Sequence, residues 1–300
     1  MKILVTGASG FVGSHFVRAA LVDKGMRVFG VVRSTTVLDA SVSLHQNFST
    51  VFSDPHSLRS LFESTTIDGV IHLATEYGRD GTSVSKVLEA NLALPISILD
   101  LCREFGTSVF VNLDSYFNKA DFTYSHLSNY AMSKKSLVNW FPYYSETTSI
   151  INVILEHVYG SRDSLHKFVP RMINDLVIER LPRVPATEGQ QRRDFIHVDD
   201  VVSALFCLLE SEVRFADSPP SNRSVPLGTG QTHSIRELCE TIQRISGSGS
   251  VVGYGDIPTR IDEIAESYAD LGYLSNLGWA PQYGLESGLR KVIQTAVESA

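Results

Sequence analysis

Cysteine is scarce: Cys102, Cys207 and Cys239 are the only three in 300 residues. They are widely spaced and odd in number, which excludes a disulfide framework and a cysteine metal site and points to reduced thiols packed in a core. A basic excess is also missing, with 26 Lys and Arg against 33 Asp and Glu and a formal charge of −7. Nothing in that balance draws the chain to nucleic acid or anionic lipid, so local cations must handle any anionic ligand. No apolar run is long enough to span a membrane. The apolar stretch at the N-terminus is too short, and too clearly a strand, for a signal peptide. A soluble, cytoplasmic protein without nucleic-acid, membrane or metal partners is expected. Repeats and low-complexity tails are absent as well. What remains, 43% hydrophobic and 20% charged, is an ordinary globular balance, and 300 residues suffice for a large α/β domain with a small appended lobe.

The opening MKILVTGASGFVGSHF organises the rest. Lys2 to Thr6 reads as a short buried strand, and Gly7, Gly10 and Gly13 form a Gly-x-x-Gly-x-x-Gly turn into a helix. A tight strand-to-helix turn needs glycine where a side chain would clash or φ is positive. It also leaves backbone N–H groups at a helix N-terminus, where a pyrophosphate can sit. Glycines placed this way signal a dinucleotide site; the alternative is plain strand–helix packing. A second buried strand, Arg27 to Val32, ends at Arg33. An acidic residue there would bond the adenosine ribose, whereas an Arg accommodates a 2′-phosphate. Arg33 therefore favours NADPH over NAD(H), against the alternative of a solvated surface Arg.

Further along, Val51-Phe52, Gly69 to Ala74 and Ser108 to Leu113 read as strands separated by helical patterns, including one from Val84 to Arg103. Alternation of this kind implies βαβ units and a Rossmann-type, doubly wound parallel sheet. Ligands bind outside the C-terminal ends of such strands, where Gly7, Arg33, Thr75 and Ser115 all fall. The second half is less regular. Ile150 to Glu156 reads as a strand, Val158-Tyr159-Gly160 as a turn, Lys167 to Glu179 as a helix and Gln190 to His197 as a strand before a helix at Val198 to Glu210. The stretch DSPPSNRS (217–224) is a loop, and helices are expected at Ser234 to Ile245 and Leu285 to Glu298. The expected division is a cofactor-binding domain at 1–160 and a smaller C-terminal α/β substrate lobe at 161–300. Its boundary is soft, because the sheet recruits strands from both halves.

Tyr130 and Lys134 sit four apart in NYAMSKKSLVNWF, which puts them on one helix face. A phenol with a pKa near 10 is a poor acid–base at neutral pH unless its phenolate is stabilised, and a neighbouring Lys⁺ does that. Lys134 could also hold a ribose hydroxyl. Ser115, delivered by a strand about fifteen residues upstream, turns a commonplace pair into a catalytic constellation.

GASGFVG, HLAT, Ser115, Tyr130-Ala-Met-Ser-Lys134, VYG and RDFIHVDDV occur in the order seen in extended short-chain dehydrogenases/reductases, the NAD-dependent epimerase/dehydratase family. The resemblance covers essentially the whole chain. It implies that Tyr130 exchanges the proton, that Lys134 lowers its pKa and binds nicotinamide ribose, and that Ser115 holds the reacting oxygen. Gly7, Gly10, Phe11, Val12 and Gly13 would surround the pyrophosphate, and Leu73, Ala74 and Thr75 would pass beneath the nicotinamide. A homodimer through residues 84–103 and 130–145 is also implied, with Trp140, Phe141, Tyr143 and Tyr144 either an apolar patch or buried core.

Within that family IHLATEYG, DSYF, DFTYSHLSNY, EHVYG, KFVP and QRRDFIHVDDVV are similar to the branch of CDP-abequose and CDP-paratose synthases and dTDP-4-keto-6-deoxyhexose reductases. That likeness implies a C4 ketone substrate on CDP or dTDP. Arg193, Lys167 and Arg260 become candidates for its diphosphate or nucleotide, with surface ion pairs as the alternative. Thr75, Tyr77, Ser115 and Tyr116 become candidates for the sugar. Dehydratases of the family carry Asp-Glu after the Ser/Thr, whereas Tyr116-Phe117 follow Ser115 here, which disfavours elimination. His157 replaces the Asn usual before Val-Tyr-Gly; it either takes over a hydrogen bond to substrate or cofactor or is structural. Asp114 before Ser115 is unusual for the family but matches this branch. The rival within enzymes is a 4-epimerase retaining NAD. A nucleotide-sensing protein without turnover is disfavoured, since such relatives lose the Tyr or Lys.

Overall fold

The computed structural model describes residues 1–33, 38–119, 127–214 and 219–299. Ser34, Asp121 to His126 of the DFTYSHLSNY stretch, and Asp217-Ser218 of the loop lie outside them. The chain forms β1 (Lys2–Thr6), α1 (Phe11–Val22), β2 (Arg27–Val32), α2 (Ala40–Ser43), β3 (Phe48–Phe52), α3 (Pro55–Ser64) and β4 (Gly69–His72). There follow α4 (Val84–Leu88), α5 (Leu94–Phe105), β5 (Val109–Ser115), α6 (Ser128–Val138) and β6 (Ser149–Leu155). A seven-stranded sheet runs in the order Asn222–Leu227, β6, β5, β4, β1, β2, β3. The pairs β1–β2, β2–β3, β1–β4 and β4–β5 are parallel. This is the Rossmann-type α/β arrangement expected from the alternation of strands and helices.

Ile3, Leu4 and Val5 are fully buried, as strands covered by helices on both faces must be. Leu58, Ile98, Leu99, Phe110, Leu137 and Ile150 are among the apolar side chains packed together on α3, α5, α6 and the strands. Asp54 caps α3 by accepting the Ser57 amide at 3.0 Å, with Pro55 at the first helical position. Gly106 ends α5 in the left-handed region, φ 72°, as helix C-termini commonly do. Register sets Thr6 beside both Val31 and His72, and His72 beside Asn112. The C-terminal ends of β1, β2, β4 and β5 therefore share one edge, where the site residues gather.

Two compact units are present: the described residues of Met1–Asp121, Ser125–Ile154 and Val202–Val225, and chiefly those of Leu155–Val201 and Pro226–Ala300. The second unit has its own core of Met172, Leu176, Leu238, Ile242 and Leu289 with their neighbours. Two sequence expectations are corrected there. Val158-Tyr159, expected in a turn, belong to a strand, His157–Tyr159, which pairs in parallel with Phe195–His197. Gly160 invites a turn but takes effect only after the strand. The single strand expected at Gln190 to His197 is two, Arg192–Arg193 and Phe195–His197. At Asp194 the chain changes pairing partners, its N–H donating to the Ser267 carbonyl and its carbonyl accepting the His157 amide, while its buried carboxylate accepts the amides of Thr229, Gly230 and Ala269 and the Thr229 hydroxyl. Short strands Arg183–Ala186 and Val251–Tyr254, absent from the sequence reading, pair in parallel.

Candidate active site

The glycine turn is shaped as a dinucleotide cradle. Gly7 has φ +67°, and a Cβ there would lie 2.6 Å from the Ala74 nitrogen. A Cβ on Gly13 would lie 1.9 Å from the Gly7 carbonyl oxygen, so β1, the β4 end and α1 touch backbone to backbone. Gly10 differs: its Cβ would meet only the Gly7 oxygen, at 3.1 Å, leaving its outer side open. Gly10 is also the N-cap of α1, with no side-chain cap and no acidic residue in the first turn. A helix start with uncapped amides and no negative charge fits a pyrophosphate. Phe11 and Val12 stand partly exposed on that first turn, and Arg33 is exposed just past β2.

At the end of β4 the Thr6 hydroxyl accepts the amides of Leu73 (3.2 Å) and Ala74 (3.1 Å). The following loop is held from above. Asn91, fully buried, accepts the Glu76 amide at 2.7 Å and donates to the Glu76 carbonyl (2.8 Å) and the Ser133 hydroxyl (2.9 Å). Ser133 in turn donates to the Tyr130 carbonyl. Asn91 thus ties Thr75 to Tyr77 onto the helix that carries Tyr130. It lies in a π-helical turn, Glu89–Ala93, that interrupts the helix expected from Val84 to Arg103; such turns are frequent at functional sites. Sequence reasoning passed over Asn91. The available signal was a lone amide on the apolar face of LEANLAL.

Ser115, Tyr130 and Lys134 come together as expected. Tyr130 and Lys134 project from one face of α6 and are both buried, Lys134 to 1% exposure. Burial, then neighbouring Tyr77, push the Tyr130 phenol well above its usual range, and nearby Ser115 opposes them; the Ser115 hydroxyl itself accepts the Phe117 amide at 3.4 Å. The Tyr77 ring lies 5.0 Å from that of Tyr130 and is covered by the Arg79 guanidinium. The Tyr116 ring packs tilted against that of Phe117, whose ring meets Tyr130 edge-on. Lys134 donates to the Leu113 carbonyl at 2.9 Å. Burial lowers its pKa to about 8, with Asp114 opposing. A phenol too weakly acidic in isolation therefore sits one helical turn from a buried ammonium, an arrangement suited to general acid–base chemistry at an oxygen.

The candidate substrate residues of the second unit have these surroundings. His157 is part-buried; burial lowers its pKa, against nearby Glu156, and neutral imidazole dominates at pH 7. Glu156 accepts the Ser267 hydroxyl on both oxygens. Lys167 pairs with Asp163 at 3.0 Å. The buried Arg193 guanidinium donates to the Arg192 carbonyl and to the Glu263 carboxylate, so its charge is matched within the unit. Arg260 lies on the same loop as Glu263, exposed.

Residues 3–218 match the model of the NAD dependent epimerase/dehydratase family. The chain belongs to that family. It is 32% identical over 296 residues to a CDP-abequose synthase of Salmonella muenchen, covering 97% of each chain. In fold it is similar to a UDP-glucose 4-epimerase of Thermotoga maritima solved with UDP-glucose (TM-score 0.83, 21% identity, 100% of this chain and 99% of that one). A UDP-glucuronic acid 4-epimerase of Bacillus cereus, solved with UDP-glucuronic acid and NAD, is equally similar (TM-score 0.83, 23% identity, 100% of both chains). The chain is therefore an enzyme of a nucleotide-sugar family, with a Rossmann-type cofactor fold. No helix among the described residues is long and apolar enough to cross a membrane.

Proposed function

We propose that the chain reduces the C4 ketone of a 4-keto-6-deoxyhexose, or its 3,6-dideoxy form, carried on CDP or dTDP, with NADPH as reductant. The product would serve deoxysugar-containing polysaccharide synthesis of the O-antigen type. The observation that supports this most is the buried Ser115–Tyr130–Lys134 group followed by Tyr116-Phe117. These aromatic residues bring no carboxylate for the acid–base work of elimination. The likeness to CDP-abequose synthase over nearly the whole chain points the same way.

When bound, the nicotinamide supplies a hydride to the C4 carbon. The protein's part is the oxygen. Tyr130 gives its phenolic proton to the developing alkoxide, and the Ser115 hydroxyl donates a second hydrogen bond to it. Lys134 stabilises the phenolate left behind, which solvent then reprotonates. Gly7, Gly10, Phe11, Val12 and Gly13 would hold the pyrophosphate, Arg33 the 2′-phosphate, and Leu73 to Thr75 the nicotinamide half. For the sugar we assign Thr75, Tyr77, Ser115 and Tyr116, and for the nucleotide His157, Lys167, Arg193 and Arg260. The division of labour is a cofactor-binding part at 1–160 and a mainly sugar-binding part at 161–300. A homodimer would use the helices around 84–103 and 130–145. There Trp140 and Tyr143 are about half exposed, whereas Phe141 and Tyr144 are buried in the core.

The test is NADPH and NADH oxidation with CDP- and dTDP-linked 4-keto-6-deoxyhexoses, with NMR of the product's C4 configuration. NADPH consumption with a C4 alcohol as product is expected, and Arg33→Ala should raise the KM for NADPH about tenfold while sparing NADH. The epimerase folds among the similar structures favour one rival. Purified protein with stoichiometric NAD and no NADPH consumption would replace the reductase reading with a 4-epimerase.

A further inference from the structure

Lys134 carries its charge out of reach of solvent with its ammonium on the Leu113 carbonyl, and the next residue along β5, Asp114, is 3% exposed. Asp114 Oδ1 accepts the Ser115 amide and Asn118 Nδ2, both at 2.8 Å. Its Oδ2 accepts Asn152 Nδ2 at 2.9 Å, and Asn152 Oδ1 accepts Asn112 Nδ2 at 2.7 Å. These donors are neutral. They fill three of the carboxylate's roughly four acceptor sites without bringing an opposite charge, and a buried charge without a partner is strongly unfavourable. Lys134, anchored on the carbonyl of the preceding residue Leu113, is the buried cation that attracts it.

Several titratable groups bear on this pair. His72 on β4 is held neutral by burial and by the charge of Lys134. Tyr130 lies one turn back on α6, with Tyr77 after β4 and Tyr116 after β5 beside it.

We propose that Asp114 is a positioning residue for the catalytic step. It is the counter-charge that keeps Lys134 protonated, and by holding the Ser115 amide and Asn118 it fixes the turn that aims the Ser115 hydroxyl at Tyr130. This role rests on the reduction proposed above, but the titration of Lys134 does not depend on it.

The experiment follows the Lys134 side chain by NMR in the cofactor-free full chain, with Lys134→Met assigning its signal. In Asp114→Asn the titration should move down by about one pH unit or more. Asp114→Asn combined with Asn152→Asp keeps every hydrogen bond of the network, the new Asn donating to the new Asp, but sets the charge one side chain further away. This pair keeps the test open should the single variant fail to fold, and its Lys134 should also titrate below wild type. The alkaline limb of kcat should shift with it, an activity loss of about fivefold at pH 8 and under twofold at pH 6. A merely structural Asp114 would move neither titration nor limb. Unchanged Lys134 titration in the folded pair overturns the proposal. A shifted titration in a protein that reduces no nucleotide sugar sinks the reductase reading and leaves the electrostatic role standing.

Discussion

The Thr6 hydroxyl lies 2.8 Å from His72 Nδ1 while accepting the amides of Leu73 and Ala74. With both acceptor directions taken by amides, its proton goes to Nδ1, which fixes the neutral imidazole with its proton on Nε2. One side chain therefore sets the path of the chain leaving β4. Thr6→Val keeps the shape but strands the Ala74 amide and His72 Nδ1, which should cost about 2–3 kcal/mol in urea unfolding. Thr6→Ser, which retains the hydroxyl, should lose about 1 kcal/mol. Cofactor affinity, read by calorimetric titration of NADPH, should weaken in the valine variant alone. Equal losses in the two variants would show that packing rather than the hydroxyl matters here.

The glycine turn separates fold from ligand. Gly13→Ala would place its Cβ 1.9 Å from the Gly7 carbonyl oxygen, and no flexible group can give way. A loss of about 2–3 kcal/mol is expected. For Gly10→Ala the nearest atom is 3.1 Å away, so stability should change by less than about 1 kcal/mol. Its methyl would instead crowd the approach to the α1 N-terminus, weakening NADPH binding at least tenfold. A Gly10 variant with wild-type cofactor affinity would place the pyrophosphate elsewhere.

Tyr130→Phe removes the proton and little else, since the ring stays packed between Tyr77 and Phe117. Turnover should fall by about 10²–10⁴-fold, the usual worth of a positioned acid. Cofactor affinity and thermal midpoint should stay near wild type. A variant within a few-fold of wild-type kcat would remove Tyr130 from the mechanism.

Much of this was legible in the residues themselves, for physical reasons. Strand–helix alternation announces a parallel sheet, and spacing of four places Tyr130 and Lys134 on one face; the structure adds their burial and the bond from Lys134 to the Leu113 carbonyl. Contacts distant in sequence stayed hidden. Asn91 reaches Glu76 and Ser133 from the otherwise apolar face of its helical segment. The strands Arg183–Ala186 and Val251–Tyr254 are four residues each, and Pro185 argues against the first. The destination of Arg193 was invisible too, because its partner Glu263 lies 70 residues downstream. Local pattern reports which face is buried, not which polar group waits on the far side.

Lys134 should make the folded protein less stable at neutral pH. In an unfolded chain its amine titrates near 10.5, and in the folded one burial brings it to about 8. Between those values the unfolded state binds more protons, so stability rises with pH through that window and is lowest below it. The protonated, buried amine thus costs roughly 2–4 kcal/mol at pH 7. Lys134→Met, which cannot titrate, should exceed wild type in stability most at pH 7, less the loss of the bond to Leu113. The margin should shrink steadily from pH 8 to pH 10.5 as wild type recovers, at about 1.4 kcal/mol per unit at its steepest. Urea unfolding of both proteins at pH 7, 8, 9 and 10 measures that difference, and titrating groups that do not interact with Lys134 cancel in it. A margin flat with pH would mean that Lys134 keeps an ordinary amine pKa in the folded chain, leaving it no electrostatic advantage over an exposed lysine.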